Sequence, residues 1–225
     1  MGCCLVVGIS IVIPCFNESK RLHATFKKLR KYEKQCKHKL QFVFMDDGST
    51  DNTANLISHL GTDLVSDYTC IYYRKNRGKG YAVRMGLQES KHPYKLILDA
   101  DLSIGIGNLD NIPLNSGYYV VKGRRNFINL PFARRLLGFG WHIVTYIITD
   151  LSQDTQSPFT FLNLPQDLYK DLKVDGFSYD VEILLLAKKY NIPIYELMVN
   201  YQYEKGSKVT FKKSLRMFID LLKLS

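Results

Sequence analysis

The chain has 225 residues, of which 46% are hydrophobic and 23% charged, an ordinary globular composition with enough length for one domain and a small appendage. Its net charge of +10 indicates an anionic partner, such as nucleic acid, a phosphorylated substrate or an anionic membrane surface, without choosing among them. The sequence lacks the run of about 18 apolar residues that a membrane-spanning helix needs, and its five cysteines, which form no CxxC pair, disfavour a zinc site and predict reduced thiols in a cytosolic environment.

The first hundred residues alternate between strand and helix patterns. Strands are predicted within GISIVIP (8–14), QFVFMDDGS (41–49), CIYYR (70–74) and KLILDA (95–100). Helices are predicted over 18–35, 51–60 and 78–90. This alternation predicts an α/β fold with a doubly wound, mostly parallel sheet that binds ligands at the carboxyl ends of its strands. The loops PCFNE, DDGS and DADLS all follow strands, so we expect them to meet at that edge.

The second half continues with a strand at 117–125 and a long apolar helix over 131–151, either buried or facing a membrane. A helix at 176–190, a strand at 192–203 and a last helix at 210–225 follow. We find no internal repeat or linker. The predicted organisation is one domain over residues 1–204, followed by a basic amphipathic helix over 205–225.

Two acids flank an alanine at the end of the fourth predicted strand, in Asp99-Ala100-Asp101. On a strand the two carboxylates share one face and converge, so a cation is needed to offset their repulsion. Mg²⁺ or Mn²⁺ would do so and keep coordination positions open for substrate phosphates. Taken alone, the motif also fits a solvated acidic turn or a helix cap.

Two further stretches carry candidate ligands. In FMDDGSTDNT, Asp47 is the better candidate to accept a hydrogen bond from a nucleobase, whereas Asp51 is either a ligand or a cap of the next helix. In KNRGKGYAVRMG, glycines at a helix start leave backbone N–H groups free, and Arg77 and Lys79 add positive charge, which suits a diphosphate. The absence of Walker and GxGxxG spacings disfavours NTP hydrolysis and dinucleotide binding.

The stretches SIVIPCFNE, DDGSTDNT, NRGKGYAVRMG and DADLS, in this order and spacing, resemble the family 2 inverting glycosyltransferases of the GT-A fold. VKGRR, DTQSPF, SYDVEILLLAKKYNIPIYELMVNY and GSK are similar to the polyprenyl-phosphate sugar transferases. Within these, DTQ with DVE and GSK most resembles the dolichyl-phosphate β-glucosyltransferases, with the mannosyltransferases next. The resemblance covers about residues 8–222 and makes residues 1–204 the GT-A catalytic domain.

The resemblance implies roles for named residues. For the nucleotide sugar they are Pro14, Phe16, Glu18, Asp46, Asp47, Lys79, Asp99, Ala100 and Asp101. For the metal, Mg²⁺ or Mn²⁺, they are Asp99, Asp101 and Ser103. For the donor diphosphate and the acceptor phosphate they are Arg124, Arg134, Lys205 and Lys208, and the catalytic set is Asp154, Arg124 and Arg134.

Three positions depart from the family pattern. Phe16 replaces the more usual Tyr, and the SPF stretch at 157–159 replaces the commoner Cys-Gly-Phe. Ser103 stands where mannosyl relatives often carry a metal-binding Gln, a small reason to favour glucosyl transfer.

The reaction implied is transfer of glucose from UDP-glucose to a polyprenyl or dolichyl phosphate with inversion, giving a β-linked lipid-phosphate sugar. Transfer of mannose from GDP-mannose, or transfer to another acceptor, is the alternative. The acceptor phosphate is already anionic, so catalysis would rest on positioning and charge stabilisation rather than on a base. Whether Asp154 orients the sugar, orients an arginine or removes a proton is left open.

The last predicted helix carries Phe211, Leu215, Phe218, Leu221 and Leu222 near one face, with basic residues around it. This pattern predicts a helix in a lipid headgroup layer, although a helix packed on the sheet would look similar. We therefore expect a peripheral membrane protein on the cytosolic face, at the endoplasmic reticulum in a eukaryote and otherwise cytoplasmic. Homo-oligomer formation is left open.

Other function classes fit less well. The charge of +10 motivates a nucleic-acid-binding protein, but no binding motif is recognisable and the basic residues look scattered, so no nucleic-acid partner is expected. The intact DxD motif argues against an inert nucleotide-sugar sensor. The absence of a QxxRW motif disfavours processive polysaccharide synthesis.

Overall fold

The structure is a computed structural model that describes residues 6–114, 117–126, 132–202 and 211–224, with the backbone alone for 132–137 and 211–215. The strands in these ranges are β1 (Gly8–Cys15), β2 (Lys39–Asp46), β3 (Asp67–Tyr72), β4 (Tyr94–Leu98), β5 (Tyr119–Asn126), β6 (Phe159–Asn163) and β7 (Ile194–Asn200). The helices are α1 (Leu22–Glu33), α2 (Thr53–Gly61), α3 (Lys79–Gln88), α4 (Phe132–Thr149), α5 (Tyr179–Lys189) and α6 (Phe211–Leu224).

The strands form one sheet in the order β3-β2-β1-β4-β6-β5-β7. β6 runs antiparallel to both of its neighbours, and every other pairing is parallel. The predicted mostly parallel sheet is therefore confirmed. Because β1, β2, β4 and β5 all end at one edge, the loops that follow them meet there, together with the chain that enters β6.

Each face of the sheet is covered by helices, as in a doubly wound fold. On one face, α1 and α2 pack against alternate residues of the central strands, with Phe26 of α1 stacked on Phe44 of β2 at 4.9 Å between ring centroids. On the other face, α3, α4, α5 and α6 contribute to a second core that contains Val12 of β1 and Ile97 of β4. Strands buried on both faces read as the continuous apolar runs seen in the sequence.

Two strand predictions are wrong in detail, and one strand was missed. β3 covers residues 67–72 rather than 70–74, because this edge strand begins with polar residues that carry little strand signal. β4 ends at Leu98, before the acidic motif. β6 was not predicted, since its five residues are too short a run to show a period and follow a proline.

The C-terminal helix packs against the protein through only part of its apolar surface. Met217 and Leu221 are buried, whereas Phe218 and Leu222 are exposed. Leu221 was predicted to face lipid, and because it is buried this prediction is wrong. The side chains of Phe211 and Leu215 lie outside the described residues. No helix in the described part of the chain is both long and apolar enough to cross a membrane.

Helix α3 lies unusually close to the sheet at Gly86. A Cβ added there would come within 2.5 Å of Val12 Cγ1 and 3.0 Å of Met45 Cγ. We expect Gly86→Val to lower the free energy of unfolding by about 1–3 kcal/mol, because overpacking outweighs the gain in helix propensity. Urea unfolding measures this.

The control is Gly140→Ala on the exposed surface of α4, where nothing lies within 4 Å of the added Cβ. It should leave stability unchanged or raise it by about 1 kcal/mol at most. Equal effects of the two substitutions would contradict the close packing of α3.

Candidate active site

Hydrogen bonds join the loops that follow β1 and β2. The backbone N–H of Asn17 donates to Ser49 Oγ (2.9 Å), and the N–H of Thr50 donates to Asn17 Oδ1 (2.8 Å). The N–H of Glu18 donates to Thr53 Oγ1 (2.8 Å). Asn17 has φ of 52°, in the left-handed region that asparagine adopts more readily than most residues. Two of the three predicted loops thus form one rim at the carboxyl edge.

The residues predicted to line the nucleobase and ribose lie on this rim. Pro14 is at the end of β1, Phe16 directly follows that strand, and both are half-buried. Glu18 is buried and pairs with Arg21, with 3.0 Å between Oε2 and Nη1. Their placement is compatible with the predicted role, which stays a prediction.

Asp46 and Asp51 are held by local hydrogen bonds. Asp46 ends β2 and accepts the N–H of Ser49 at 3.0 Å and also its hydroxyl. Asp51 accepts the N–H of Thr53 (3.0 Å) and the N–H of Ser19 (3.2 Å). Although burial raises the pKa of Asp51, these hydrogen bonds outweigh it and lower the pKa. Asp51 thus accepts the N–H of the first residue of α2, although Asn52 occupies the N-cap position, and a role of Asp51 as a ligand stays a prediction.

Asp47 organises the turn that precedes α3. Its Oδ1 accepts the N–H of Arg77 (2.8 Å), and its Oδ2 accepts the N–H of Gly78 (2.9 Å) and the side-chain amide of Asn76 (2.8 Å). Burial raises the pKa of Asp47, and the hydrogen bonds from the turn oppose that rise. Both oxygens of Asp47 already accept hydrogen bonds from the turn, so the observed role of this side chain is to hold the turn. Recognition of a nucleobase by Asp47 stays a prediction.

The start of α3 is not the open anion site that its glycines predict. The N–H groups of Gly80 and Tyr81 both donate to the carbonyl of Asp175, at 2.9 and 3.3 Å. A Cβ on Gly78 would come within 2.2 Å of the same carbonyl oxygen, and Gly78 has φ of 116°. The glycines therefore permit close approach of the segment 174–176, and the side chain of Lys79 is what this helix start presents to the site.

Asp99 and Asp101 lie in a turn rather than on a strand. The N–H of Leu102 donates to the carbonyl of Asp99 at 3.0 Å, and Leu102 has φ of 49°. The predicted convergence of the two carboxylates through strand periodicity is therefore wrong. Their proximity in sequence and their place at the carboxyl edge are as expected.

Lys79 offsets the negative charge of this turn. Its Nζ lies 2.5 Å from Asp99 Oδ1. Burial alone would lower the pKa of Lys79, but nearby negative charge, led by Asp99, outweighs it and raises the pKa above its usual value. The carbonyl of Ala100 accepts the hydroxyl of Thr25 (2.5 Å), which anchors the turn to α1. Ala100 is thus buried between the two acids, and its carbonyl holds the turn to α1.

The two acids fit a divalent ion. Carboxylate oxygens are ligands that Mg²⁺ prefers, usually one or two of them together with substrate phosphates. Asp101 Oδ1 accepts the N–H of Ser103 (2.9 Å), and the carbonyl of Ser103 accepts the N–H of Gln202 (2.8 Å), so this turn is also tied to the chain after β7. Among the described residues, no three His, Cys, Asp or Glu side chains are grouped to hold a metal by themselves. Donor phosphates would have to complete the coordination.

Asp154 forms a two-point ion pair with Arg125. Arg125 Nε lies 2.7 Å from Oδ2 and Nη2 lies 2.9 Å from Oδ1, and the two side chains are only 12% and 13% exposed. Burial raises the pKa of Asp154, but hydrogen bonds and charge from Arg125 outweigh it and hold the pKa below its usual value. Of the roles left open, the geometry favours orientation of an arginine, because a carboxylate with a lowered pKa is a weak base.

The arginine that pairs with Asp154 is Arg125, a residue for which no role was predicted. Arg124 and Arg125 point to opposite faces of β5, and Arg124 is 62% exposed with its nearest acid, Glu196, at 3.6 Å. Arg125 could not be identified from the sequence, because the partner of Asp154 depends on a strand register that the sequence does not display. The side chain of Arg134 and the whole of Lys205 and Lys208 lie outside the described residues, so their roles stay predictions.

The positive charge is concentrated on one segment that borders this site, where Lys28 Nζ lies 3.4 Å from the carbonyl oxygen of Asp101. Residues 20–39 contain nine Lys or Arg and one acid, a net +8 of the chain's +10, so the prediction of scattered basic residues is wrong. All seven lysines of this segment, which spans α1 and its flanks, are exposed. The overall charge therefore describes mainly one surface, which meets the site at Lys28 and at the Arg21–Glu18 pair.

The fold is that of the GT-A glycosyltransferases. The solved structure of mannosyl-3-phosphoglycerate synthase from Rubrobacter xylanophilus matches with a TM-score of 0.71 and 15% identity, over 97% of this chain and 72% of that one. Glucosyl-3-phosphoglycerate synthase from Mycobacterium tuberculosis, in complex with Mn²⁺, UDP-glucose and phosphoglyceric acid, matches with a TM-score of 0.66 and 14% identity, over 97% of this chain and 78% of that one.

Sequence comparison narrows the class. The model of "Glycosyl transferase family 2" matches residues 10–111. Dolichyl-phosphate β-glucosyltransferase of Homo sapiens is 32% identical over 95% of this chain and 74% of its own length. The enzyme of the same name from Dictyostelium discoideum is 29% identical over 97% of this chain and 74% of its own length. The chain belongs to glycosyl transferase family 2, in the group of the dolichyl-phosphate β-glucosyltransferases.

The ion pair of Asp154 and Arg125 makes stability depend on pH. The lowered pKa in the folded protein means that the pair stabilises above the unfolded pKa of about 3.9, and that this stabilisation is lost as the pH falls through the folded value. We expect Asp154→Asn to cost about 3 kcal/mol at pH 7 and progressively less as the pH falls from about 4 to the lowered pKa of the folded protein. Unfolding by urea across this pH range measures it.

The control is Asp63→Asn, which removes an exposed pair with Arg30 and should cost less than about 1 kcal/mol. A cost of Asp154→Asn that does not change with pH would show that the carboxylate is not ionised in the pair.

Proposed function

We propose that this chain transfers glucose from UDP-glucose to dolichyl phosphate, or a similar polyprenyl phosphate, with inversion at the anomeric carbon. The single observation that carries this proposal is the 32% identity to human dolichyl-phosphate β-glucosyltransferase over 95% of the chain. The gathering of Lys79, Asp99 and the Arg125–Asp154 pair at the carboxyl edge supports it, because transfer between two phosphate-bearing substrates needs fixed charges there.

On the donor side, Asp99 and Asp101 would hold a divalent ion. When bound, the ion neutralises charge on the donor diphosphate. The Mn²⁺ and UDP-glucose bound by the glucosyl-3-phosphoglycerate synthase of the same fold support this choice of donor and metal, with Mg²⁺ as the other candidate. Lys79 contributes a positive charge on a flexible stem, so it can move from Asp99 to a phosphate oxygen without movement of the backbone.

On the acceptor side, the nucleophile is an oxygen of the lipid phosphate, which is already ionised at neutral pH and needs no base. This oxygen attacks the anomeric carbon from the face opposite the UDP group. A bond forms between them as the bond from that carbon to the diphosphate oxygen breaks, and UDP carries away the electron pair. An α-linked donor thus gives a β-linked product. Arg125, held by Asp154, is placed to stabilise negative charge near this edge.

The membrane contact that such a substrate requires has a candidate surface. On α4 the side chains of Phe139, Ile143, Tyr146 and Ile147 are exposed and spaced so that they lie on one helix face. On α6, which contacts α4, Phe218, Ile219 and Leu222 are exposed. Contiguous apolar surface of this kind marks a protein or membrane contact. We infer that these two helices rest on the headgroup layer and make the protein a peripheral membrane protein.

A transfer assay tests the reaction. The protein is incubated with Mn²⁺ or Mg²⁺, dolichyl phosphate, and either UDP-glucose or GDP-mannose. We expect lipid-linked glucose from UDP-glucose and none from GDP-mannose, with the product extracted into organic solvent and its anomeric configuration read by NMR. Product from GDP-mannose alone would replace the proposed donor, and no product from either donor would overturn the function.

Asp101→Asn should lower turnover by about 100-fold or more, because the divalent ion that neutralises the donor diphosphate then loses one of its two carboxylate ligands. Circular dichroism should show an unchanged fold. The matched control is Asp167→Asn, an exposed acid paired only with Lys170 and remote from the carboxyl edge. Full activity of Asp101→Asn at low metal concentration would contradict the metal assignment.

Membrane contact is tested by flotation with vesicles that contain dolichyl phosphate. Ile147→Lys places a charge in the proposed contact surface and should reduce the floated fraction several-fold. Val65→Lys, at a residue that is 86% exposed near β3, is the matched control and should float like the wild type. Equal flotation of both variants would exclude the α4 surface as the membrane contact.

A further inference from the structure

Two buried charges lie beneath the site and belong to no predicted role. Lys122 on β5 is 0% exposed and Asp180 on α5 is 6% exposed, and Lys122 Nζ lies 2.8 Å from Asp180 Oδ1. Removing two charges from water is energetically costly, and a well-packed apolar pair is often as stable. Stability alone therefore gives little reason for an ion pair at this place.

Lys122 uses all three of its N–H groups to join separate elements. Besides Asp180, its Nζ donates to the carbonyl of Ser157 (2.7 Å) and to Thr160 Oγ1 (2.8 Å). The hydroxyl of Thr160 in turn donates to Asp180 Oδ1 (3.1 Å). Strand β5, the start of β6 and helix α5 are thus fixed to one another by a single closed set of hydrogen bonds.

The carbonyl held by Lys122 belongs to the loop that carries Asp154. The N–H of Ser157 donates to the carbonyl of Asp154 (3.2 Å), and the N–H of Gln156 donates to Asp154 Oδ1 (3.2 Å). The same carboxylate pairs with Arg125. A shift of Ser157 would therefore shift Asp154 and its arginine.

The other member of the buried pair faces the donor side. Tyr179, the residue next to Asp180 on α5, has its ring centroid 5.5 Å from Lys79 Nζ, and Lys79 pairs with Asp99. The result is a series of three ion pairs, linked through Tyr179 on the donor side and through the carbonyl of Ser157 on the acceptor side. Its members are Asp99, Lys79, Asp180, Lys122, Asp154 and Arg125.

We propose that Lys122 and Asp180 are positioning residues, which fix the loop 154–157 against α5 and so hold the Arg125–Asp154 pair in register with the Lys79–Asp99 pair. Neither residue touches substrate, because both are buried. The reaction that they would serve rests on the proposed function, whereas the constraint on the loop does not.

The central test removes the charges without leaving one unpaired. Lys122→Met alone would leave the Asp180 carboxylate buried without its cationic partner, so the double variant K122M/D180N is used. We expect it to remain folded, to keep KM for UDP-glucose within about threefold of the wild type, and to lose kcat by about 10- to 100-fold, the size of effect that misplacement of about 1 Å produces. A wild-type kcat would overturn the proposal.

A variant that exchanges the lysine and the threonine tests whether the ammonium group must come from β5 or only has to occupy this space. Lys122 and Thr160 face each other across the β5–β6 ladder, so K122T/T160K returns an ammonium group to the same space from the neighbouring strand. We expect kcat to recover to within about fivefold of the wild type, because the chain composition and the charge series are kept. A folded K122T/T160K protein that is no more active than K122M/D180N would overturn the proposal.

Lys95→Met is the matched control. Lys95 is also buried on a central strand, but its Nζ donates only to the carbonyls of His92 and Pro93, away from the carboxyl edge. Its loss should lower stability and leave kcat per folded molecule unchanged. A similar loss of kcat in Lys95→Met would show that any buried lysine matters and would remove the special role of Lys122.

Hydrogen–deuterium exchange separates this proposal from the proposed function. In K122M/D180N we expect amides of residues 152–158 to exchange at least about tenfold faster, while those of α1 stay unchanged. If the wild type transfers no glucose but the loop loosens, the function fails and the positioning stands. If the loop does not loosen, the positioning fails whatever the enzyme transfers.

Discussion

The carboxyl edge of this sheet can gather acidic side chains because each one has a donor of its own. Asp47 is satisfied by backbone and amide N–H groups of the turn 76–78, whereas Asp99 and Asp154 are satisfied by cationic side chains. Without these donors, burial would raise the pKa values of Asp47 and Asp154 unopposed. The two kinds of donor have different consequences. A backbone donor fixes an acid permanently, while a long cationic side chain can exchange its acid for a substrate phosphate.

The segment 173–176 controls what the helix start of α3 can do. Glu182 accepts the N–H groups of Lys173 and Val174, at 2.6 and 2.9 Å, and so holds this segment against the first turn of α3. Its carbonyls then take the N–H groups that a glycine-rich helix start would offer to an anion. Positive character on this side of the site consequently depends on the Lys79 side chain. A motif typical of anion binding here serves the close packing of two backbones.

The parts of the fold that could be predicted are those with local signals. Apolar runs marked β1 and β2, since strands buried on both faces are apolar throughout. The loops at their ends could be located because carboxyl ends of parallel strands share an edge. Features that depend on pairing between distant parts of the chain could not be predicted. β6 is recognisable only once it is seen between β4 and β5, and the choice of Arg125 over Arg124 as partner of Asp154 follows from the face of β5 on which each lies.

The two faces of the sheet give the molecule distinct surfaces. The exposed lysines of α1 lie on one face, and the exposed apolar side chains of α4 and α6 lie on the other. If the α4–α6 surface rests on a bilayer, the lysines of α1 point away from it. Screening reduces interactions between exposed charges beyond about 10 Å at 0.1 M salt, so these lysines add little attraction to anionic lipids. Burial of apolar side chains, together with basic residues of α6 such as Arg216 and Lys223, rather than the lysines of α1, would therefore orient the protein on a membrane.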